Sequence, residues 1–231
     1  MYSREINGQE FTFGVSGKLI RNVLVMYDRQ TESYWSQLLG ESVEGEMVGT
    51  KLDFVPSWFV TWEEWKEMHP ETIALDKGAR SSSRDVYEGY YSRSDAGVIG
   101  ETIRDSRLST KQFVVGVEVT ADTAVAYPFE VLSSEAVVND TVDGVPLLVT
   151  FNSSGTSGNV FNRMINGQTL TFSDNDDGTM SDAETGSTWD SATGEAIAGD
   201  LADSQLDRIK STTTFWFGWT DWHPDTLVYG I

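Results

Sequence analysis

The chain has 231 residues, no cysteine and a formal net charge of -20, with a pI near 4.2. Its hydrophobic content of 39% and aromatic content of 12% are too high for disorder, which pairs low hydrophobicity with high charge, while the acidity argues against nucleic acid and anionic lipid as partners, since both need Lys and Arg to neutralise phosphate. Without cysteine there is no disulfide, thiolate metal site or thiol nucleophile.

The length suits one large domain or two intimately joined halves. No apolar run approaches a membrane span, and the first residues open on structured sequence with no signal peptide. An acidic surface suits a high-salt or marine setting, where screening removes self-repulsion; simple solubility is the plainer reading.

Residues 4–13, REINGQEFTF, alternate and turn at Asn7-Gly8, which predicts a hairpin leading into a strand. The segment 14–17 reads as a turn and 19–27 as one strand. From Asp28 to Leu75 the sequence matches, without a gap, the sequence from Asp182 to Tyr229 that lies 154 positions later. Every tryptophan and both histidines fall inside these copies, which identifies an internal repeat. REINGQEFTF also recurs as RMINGQTLTF from Arg163, and the second copy is five residues shorter between this segment and the aligned aspartates.

Thr61-Trp62-Glu63-Glu64 has capping-box spacing and predicts a short helix to Met68, stopped because His69 precedes Pro70. Trp62 and Trp65 share a face, expected to pack on a sheet, and Trp216, Trp219 and Trp222 repeat the pattern before His223-Pro224. Residues 76–111 are polar with an aromatic island at Tyr87, Tyr90 and Tyr91, and read as a packed connector. Residues 112–172 predict an antiparallel meander of short strands turning at Asp143-Gly144 and Asn166-Gly167, with Pro128 and Pro146 at strand starts or edges. The first copy has no counterpart of residues 112–160. The expected organisation is a first half at 1–75, the connector at 76–111 and a second half at 112–231. The fold class is mainly β, α+β at the margin. Two pseudo-symmetric antiparallel halves are expected, each with a short Trp-rich helix ending at His-Pro.

GKLIRNVLVMYDRQTESYWSQ (17–37), VVGVEVTADTAVAYPFEVL (114–132), VVNDTVDGVPLLVTF (137–151) and FWFGWTDWHPDTLVYG (215–230) together resemble the domain of unknown function 3179 family. The resemblance spans nearly the whole chain. It implies an extracellular or cell-envelope location, as for many members, and no particular reaction. Members often carry a CPLC-like stretch before the residues matching Tyr2 to Gly8. The chain starts after that point, and its second copy has the cysteine-free FNSSGTSGNVF (151–161) there. Metal or redox chemistry carried by such cysteines has no direct replacement here.

His69 and His223, each followed by Pro and an acid, are the candidates for general bases or metal ligands, helped by Glu71 or Asp225, and Asp28 is a further catalytic candidate. The competing reading makes each histidine a helix stop that meets the last carbonyls. The run 173–184 places Asn175, Asp177, Gly178 and Glu184 at calcium-loop positions, with Ser173 in place of the first Asp; an exposed polar turn is the alternative. No cofactor is required by the sequence, and calcium is the one it could suit. Asp28, Arg29, Gln30, Trp35 and Gln37 form a polar cluster that the second copy keeps only as Asp182 and Trp189, Asp28 with Lys18 or Arg29 is a candidate ligand-binding pair, and Trp58, Phe59 and Trp222 lack an aromatic counterpart in the other copy. Lys18, Arg29, Trp35, Gln37, Trp58 and Trp222 are therefore candidate ligand contacts, with a carbohydrate or small molecule as the ligand class. Asp28 and Asp182 also suit a structural turn in DxxTxS. The leading functional expectation is an extracytoplasmic, non-catalytic binding or structural module, with self-association through an unpaired strand edge as one form of it. The other is a metal-dependent or carboxylate-based hydrolase using Asp28, His69 and His223.

Overall fold

Asn7 and Gly8 both take positive φ, 52° and 77°, the combination that lets a two-residue turn match the twist of its strands. That turn joins β1 (Glu5–Ile6) to β2 (Gln9–Glu10) in a computed structural model that describes residues 1–76, 87–154 and 156–231. Next come β3 (Phe13–Ile20), β4 (Val23–Asp28), β5 (Tyr34–Ser36) and β6 (Glu41–Glu44), paired in that order as an antiparallel sheet. The turn expected at 14–17 is a bulge inside β3, because the reversal comes later, at Arg21 and Asn22 with φ of 47° and 61°. Ile6, Phe11, Trp35 and Leu52 form the small core of this half.

Helix α1 (Trp62–Met68) follows, and the hydroxyl of Thr61 accepts the N–H of Glu64 at 3.2 Å as the capping spacing predicts. α1 contains no buried residue, and Trp62 is 50% exposed, so the expected packing of its indoles on a sheet does not occur. Of the connector, 77–86 lie outside the described residues; α2 (Glu88–Tyr91) lays Tyr90 and Tyr91 against Phe215.

The strands expected as one meander over 112–172 are divided among separate sheets. Strands β7 (Phe113–Glu118) and β8 (Ala124–Pro128) pair as a hairpin, and the segment read as strand continuing past Pro128 turns instead into α3 (Phe129–Leu132). Pro128 closes its strand and precedes the helix, where its missing N–H costs nothing. Strands β9 (Val137–Val142), β10 (Val145–Asn152) and β11 (Ser157–Asn162) make a separate antiparallel meander, with Pro146 the second residue of the central strand.

The second copy opens with β12 (Met164–Ile165) and β13 (Gln168–Thr169), turning at Asn166-Gly167 with φ of 51° and 81°. A four-stranded antiparallel sheet follows, of β14 (Phe172–Asp174), β15 (Thr179–Asp182), β16 (Thr188–Asp190) and β17 (Ala196–Ala198). The missing five residues are thus a shortened hairpin, β14–β15 against β3–β4. Then β18 (Ser211–Phe215) joins β7, α4 (Trp216–Thr220) follows at once, and β19 (Leu227–Val228) pairs with β8 in parallel, the one departure from antiparallel pairing among the named strands.

Strands hold 39% of the residues and helices 9%, so the protein is mainly β. Alternation along β7 and β8 explains the layering. Val115, Val117, Val125 and Tyr127 face the β9–β11 sheet, whereas Val114 and Ala126 face Trp216 and Trp219 of α4. A sheet covered on both faces reads as the near-continuous apolar run found at 113–117. Leu148 and Phe161, on the far side of the meander, pack with Phe172, Met180 and Trp189. The second half is therefore a stack of α4 and three sheets.

Candidate functional site

The histidines are placed by the same local device in both copies. The N–H of His69 donates to the carbonyl of Trp65 at 2.8 Å, its ring lies 4.2 Å from that indole, and Trp65 Nε1 donates to Thr72 Oγ1 at 3.0 Å. In the second copy His223 donates to the carbonyl of Trp219 at 2.9 Å, the rings are 4.0 Å apart, and Trp219 Nε1 donates to Thr226 Oγ1 at 2.9 Å. Each histidine thus satisfies a helix-end carbonyl, although α4 itself stops at Thr220 with Asp221 as its cap. Their surroundings differ: His69 is exposed, while His223 Nε2 lies 3.4 Å from Glu118 Oε1 in a cleft between the halves.

That cleft has a volume of about 680 Å³. The first half contributes Leu39, Glu41 and Lys51; the second contributes the end of β7 with its turn and the segment from Trp222 to Thr226. Around it, Lys210 Nζ donates to the carbonyl of Leu39 at 3.0 Å and reaches Glu118 Oε2 at 3.4 Å, and the Tyr2 hydroxyl donates to the carbonyl of Leu38 at 2.7 Å. The His223 contact is the main influence that holds the Glu118 carboxyl below its usual range, against the opposing effect of burial and with help from Lys210. Burial, and secondarily the Glu118 charge, pushes the Tyr2 hydroxyl up to about 12. Arg21 stacks over Trp222 at 4.9 Å and donates to the carbonyl of Asp221, while Asp221 Oδ1 accepts from the N–H groups of Thr102 and Ile103 at 2.7 Å.

The other residues singled out from the sequence are dispersed. Asp28 is fully buried and accepts from the Thr31 N–H at 2.6 Å and from Trp35 Nε1 at 2.9 Å. Burial alone would raise its carboxyl, but these donors, with Gln30 N–H and the Thr31 hydroxyl, hold it below its ordinary range. Asp182 repeats the arrangement, at 2.6 Å from the Thr185 N–H and 2.9 Å from Trp189 Nε1, and its carboxyl is depressed in the same way. Trp35 is fully buried beside Asp28, which removes it from any ligand surface. Lys18 sits 3.8 Å from the Tyr34 ring, Arg29 donates to the Phe13 carbonyl at 2.6 Å, and Gln37 is exposed. Trp58 donates to the Ala192 carbonyl at 3.1 Å and carries Arg208 on its face. Asp28, His69 and His223 lie in three separate sets of contacts.

At the calcium-like run, Asn175 bonds Thr179 and Ser181, Asp177 accepts from Thr179, and Glu184 accepts from the Thr171 N–H at 2.7 Å. Among the described residues no group of three or more His, Asp and Glu side chains could hold a metal ion. No described helix is long and apolar enough to cross a membrane. Sequence reasoning singled out His223 and Trp222 but not Glu118, Lys210 or Tyr2. The one available signal was a glutamate interrupting the apolar run VVGVEV.

The architecture and the cleft define a mainly β protein with a pocket where Leu39, Glu41 and Lys51 meet Glu118 and the segment from Trp222 to Thr226. A family model described as "Protein of unknown function (DUF3179)" matches residues 1–228, and the chain belongs to that family. No curated protein and no solved structure matches it.

Proposed function

We propose that the protein is an extracytoplasmic, non-catalytic binding module whose ligand site is the cleft at Glu118, His223 and Trp222. The observation that carries this is the duplicated Trp–His–Thr device: the chain spends each histidine on the same structural contacts, and only the second is also turned toward a carboxylate in a cleft. Glu41, Glu118, Asp122 and Asp225 outnumber Lys51 and His223 along its walls, beside Thr120, Thr123 and one indole. Such a lining disfavours anions. It suits a neutral polyhydroxylated ligand, whose hydroxyls pair with carboxylates and whose ring faces an indole. The extracytoplasmic setting rests on the family resemblance, and fractionation of native cells tests it.

Calorimetric titration with a panel of neutral and anionic oligosaccharides tests the site. Saturable binding of a neutral member is expected, weakened at least tenfold, about 1.4 kcal/mol, in Glu118→Gln, with the sugar recovered intact. Preference for anionic members, or indifference to Glu118→Gln, sinks the assignment, and release of a cleaved product would move the hydrolase reading ahead.

A further inference from the structure

One face of the β10–β11 pair changes character along its length. Leu148 and Phe161 stand opposite each other and pack into the core, but the next two pairs on that face are Thr150 with Asn159 and Asn152 with Ser157. Thr150, Asn159 and Ser157 are 1%, 6% and 3% exposed, so polar groups are buried where the sheet could have gone on burying apolar ones. They floor a second cavity of about 610 Å³, which shares no lining residue with the cleft at Glu118. Two charges stand behind this floor. Glu64 Oε1 accepts from Asn152 Nδ2 at 2.8 Å and from Ser157 Oγ at 3.1 Å, and two residues further along β11 Asn159 Oδ1 accepts from Arg208. Neither charge has an ion-pair partner among the described residues, and Glu64 Oε2 and Arg208 Nη1 are buried without hydrogen bonds. The floor is thereby polarised. A guanidinium has no acceptor, so Asn159 turns its oxygen to Arg208 and offers its amide N–H to the cavity. Ser157 gives its only proton to Glu64, Thr150 gives its own to the Ser191 carbonyl at 2.6 Å, and on the wall Ser133 and Ser134 give theirs to carbonyls of α3. What these four hydroxyls offer a ligand is lone pairs. Glu67, Asp174 and Asp176 add three exposed carboxylates, with no Lys or Arg among the described residues of the lining, and Ser191 Oγ in the same wall is buried without a partner.

We infer that this cavity is a binding site for a free α-amino acid with a basic side chain. The ligand's carboxylate takes the Asn159 N–H, with the Arg208 charge behind it, and its α-ammonium takes the lone pairs around Ser157, with the Glu64 charge behind them. The dipolar head group thus matches the two ends of the floor. The side-chain cation lies against Glu67, Asp174 and Asp176, an acceptor-rich wall that suits an ammonium, which carries three donors and no acceptor. A metal ion fits the same wall badly, because no group of three or more described His, Asp and Glu side chains could hold one and the Asn159 donor would face a cation. The volume lies within the range of small-molecule sites. The inference does not depend on the cleft.

The test is calorimetric titration of the full chain with L-lysine in about 0.15 M sodium chloride, where diffuse attraction to the acidic surface is screened. Saturable binding is expected. It should be at least tenfold weaker for 1,5-diaminopentane, which keeps both ammonium groups and lacks the carboxylate, and for Nε-acetyl-lysine, which keeps the head group and lacks the side-chain cation. Asn159→Asp leaves Arg208 an acceptor but sets a carboxylate where the ligand's own would lie, so lysine should bind it at least tenfold more weakly while 1,5-diaminopentane does not. Asp174→Asn with Asp176→Asn, both at exposed positions that leave the fold intact by circular dichroism, should weaken lysine and leave Nε-acetyl-lysine unchanged. Glu118→Gln should leave lysine binding as it is, which separates this site from the cleft. Equal binding of lysine and 1,5-diaminopentane would reduce the cavity to a patch of negative charge and overturns the inference. So does the absence of saturable binding, indifference to the Asp174 and Asp176 changes, or loss of lysine binding in Glu118→Gln.

Discussion

Asp28 and Asp182 show how much one residue can decide when its donors come from its own turn. In each copy the aspartate gathers a threonine N–H, the threonine hydroxyl and an indole N–H seven residues on, which fixes the loop and buries the tryptophan with its polar atom satisfied. The DxxTxS spacing made this turn legible from sequence. Glu118 was not legible, because its meaning comes from His223 and Lys210, about a hundred positions away, and no local pattern encodes that meeting. Replacing either aspartate by asparagine keeps one acceptor oxygen but sets an NH2 donor in place of the other, which cannot accept from the donors it faces, and each variant should lose about 1–3 kcal/mol in urea unfolding at neutral pH. The pH dependence has a definite sign. Both carboxyls are depressed in the folded protein, so their contribution is present above the unfolded value near 4 and is lost as pH falls through the folded values. The gap between wild type and either variant should therefore close as the pH is lowered below about 4. A gap that is unchanged at pH 3 would show that the aspartates act by shape rather than by charge.

At the scale of elements, the copies of the helix separate what a local sequence specifies from what only tertiary structure supplies. Capping at Thr61, the stop at His69 and the alternation that sets both hairpins are short-range effects, and each forms as its residues dictate. Whether the indoles are covered is long-range, because the spacing of Trp62 and Trp65 marks an apolar face without stating what lies over it. The same limit explains the bulge in β3 and the switch to α3 after Pro128, where a continuous apolar run hides a change of element. Trp219→Ala should cost about 3–5 kcal/mol, since it opens a cavity against Gly116 under β7. Trp62→Ala should cost about 1 kcal/mol or less, as expected of an exposed position. Thermal unfolding of the two variants side by side tests this; equal losses would mean that the first helix is as well packed as the second.

The whole molecule sets a long-range repulsion against a few contacts that join its halves. Across the seam, Lys210 ties Leu39 to Glu118, Arg21 spans to Asp221 and Trp222, Trp58 reaches Ala192, and Glu64 reaches Asn152 and Ser157. Several of these are charged or charge-assisted, so salt weakens them, but they are partly buried and close, and screening acts least at short range. The net charge of -20 acts over the full width of the molecule, and raising ionic strength from 0.1 M to 1 M shortens the screening length from about 10 Å to about 3 Å. The relief of self-repulsion should therefore exceed the loss at the seam. Stability should rise with sodium chloride over that range by about 1–2 kcal/mol, or roughly 2–8 °C in Tm for a chain of this size. Lys210→Met removes the cation at the seam and leaves Glu118 beside His223 alone, so its deficit should be largest at low salt. If melting temperature instead falls as salt is added, and falls less in Lys210→Met, the seam's ion pairs dominate and the acidic surface is a matter of solubility alone.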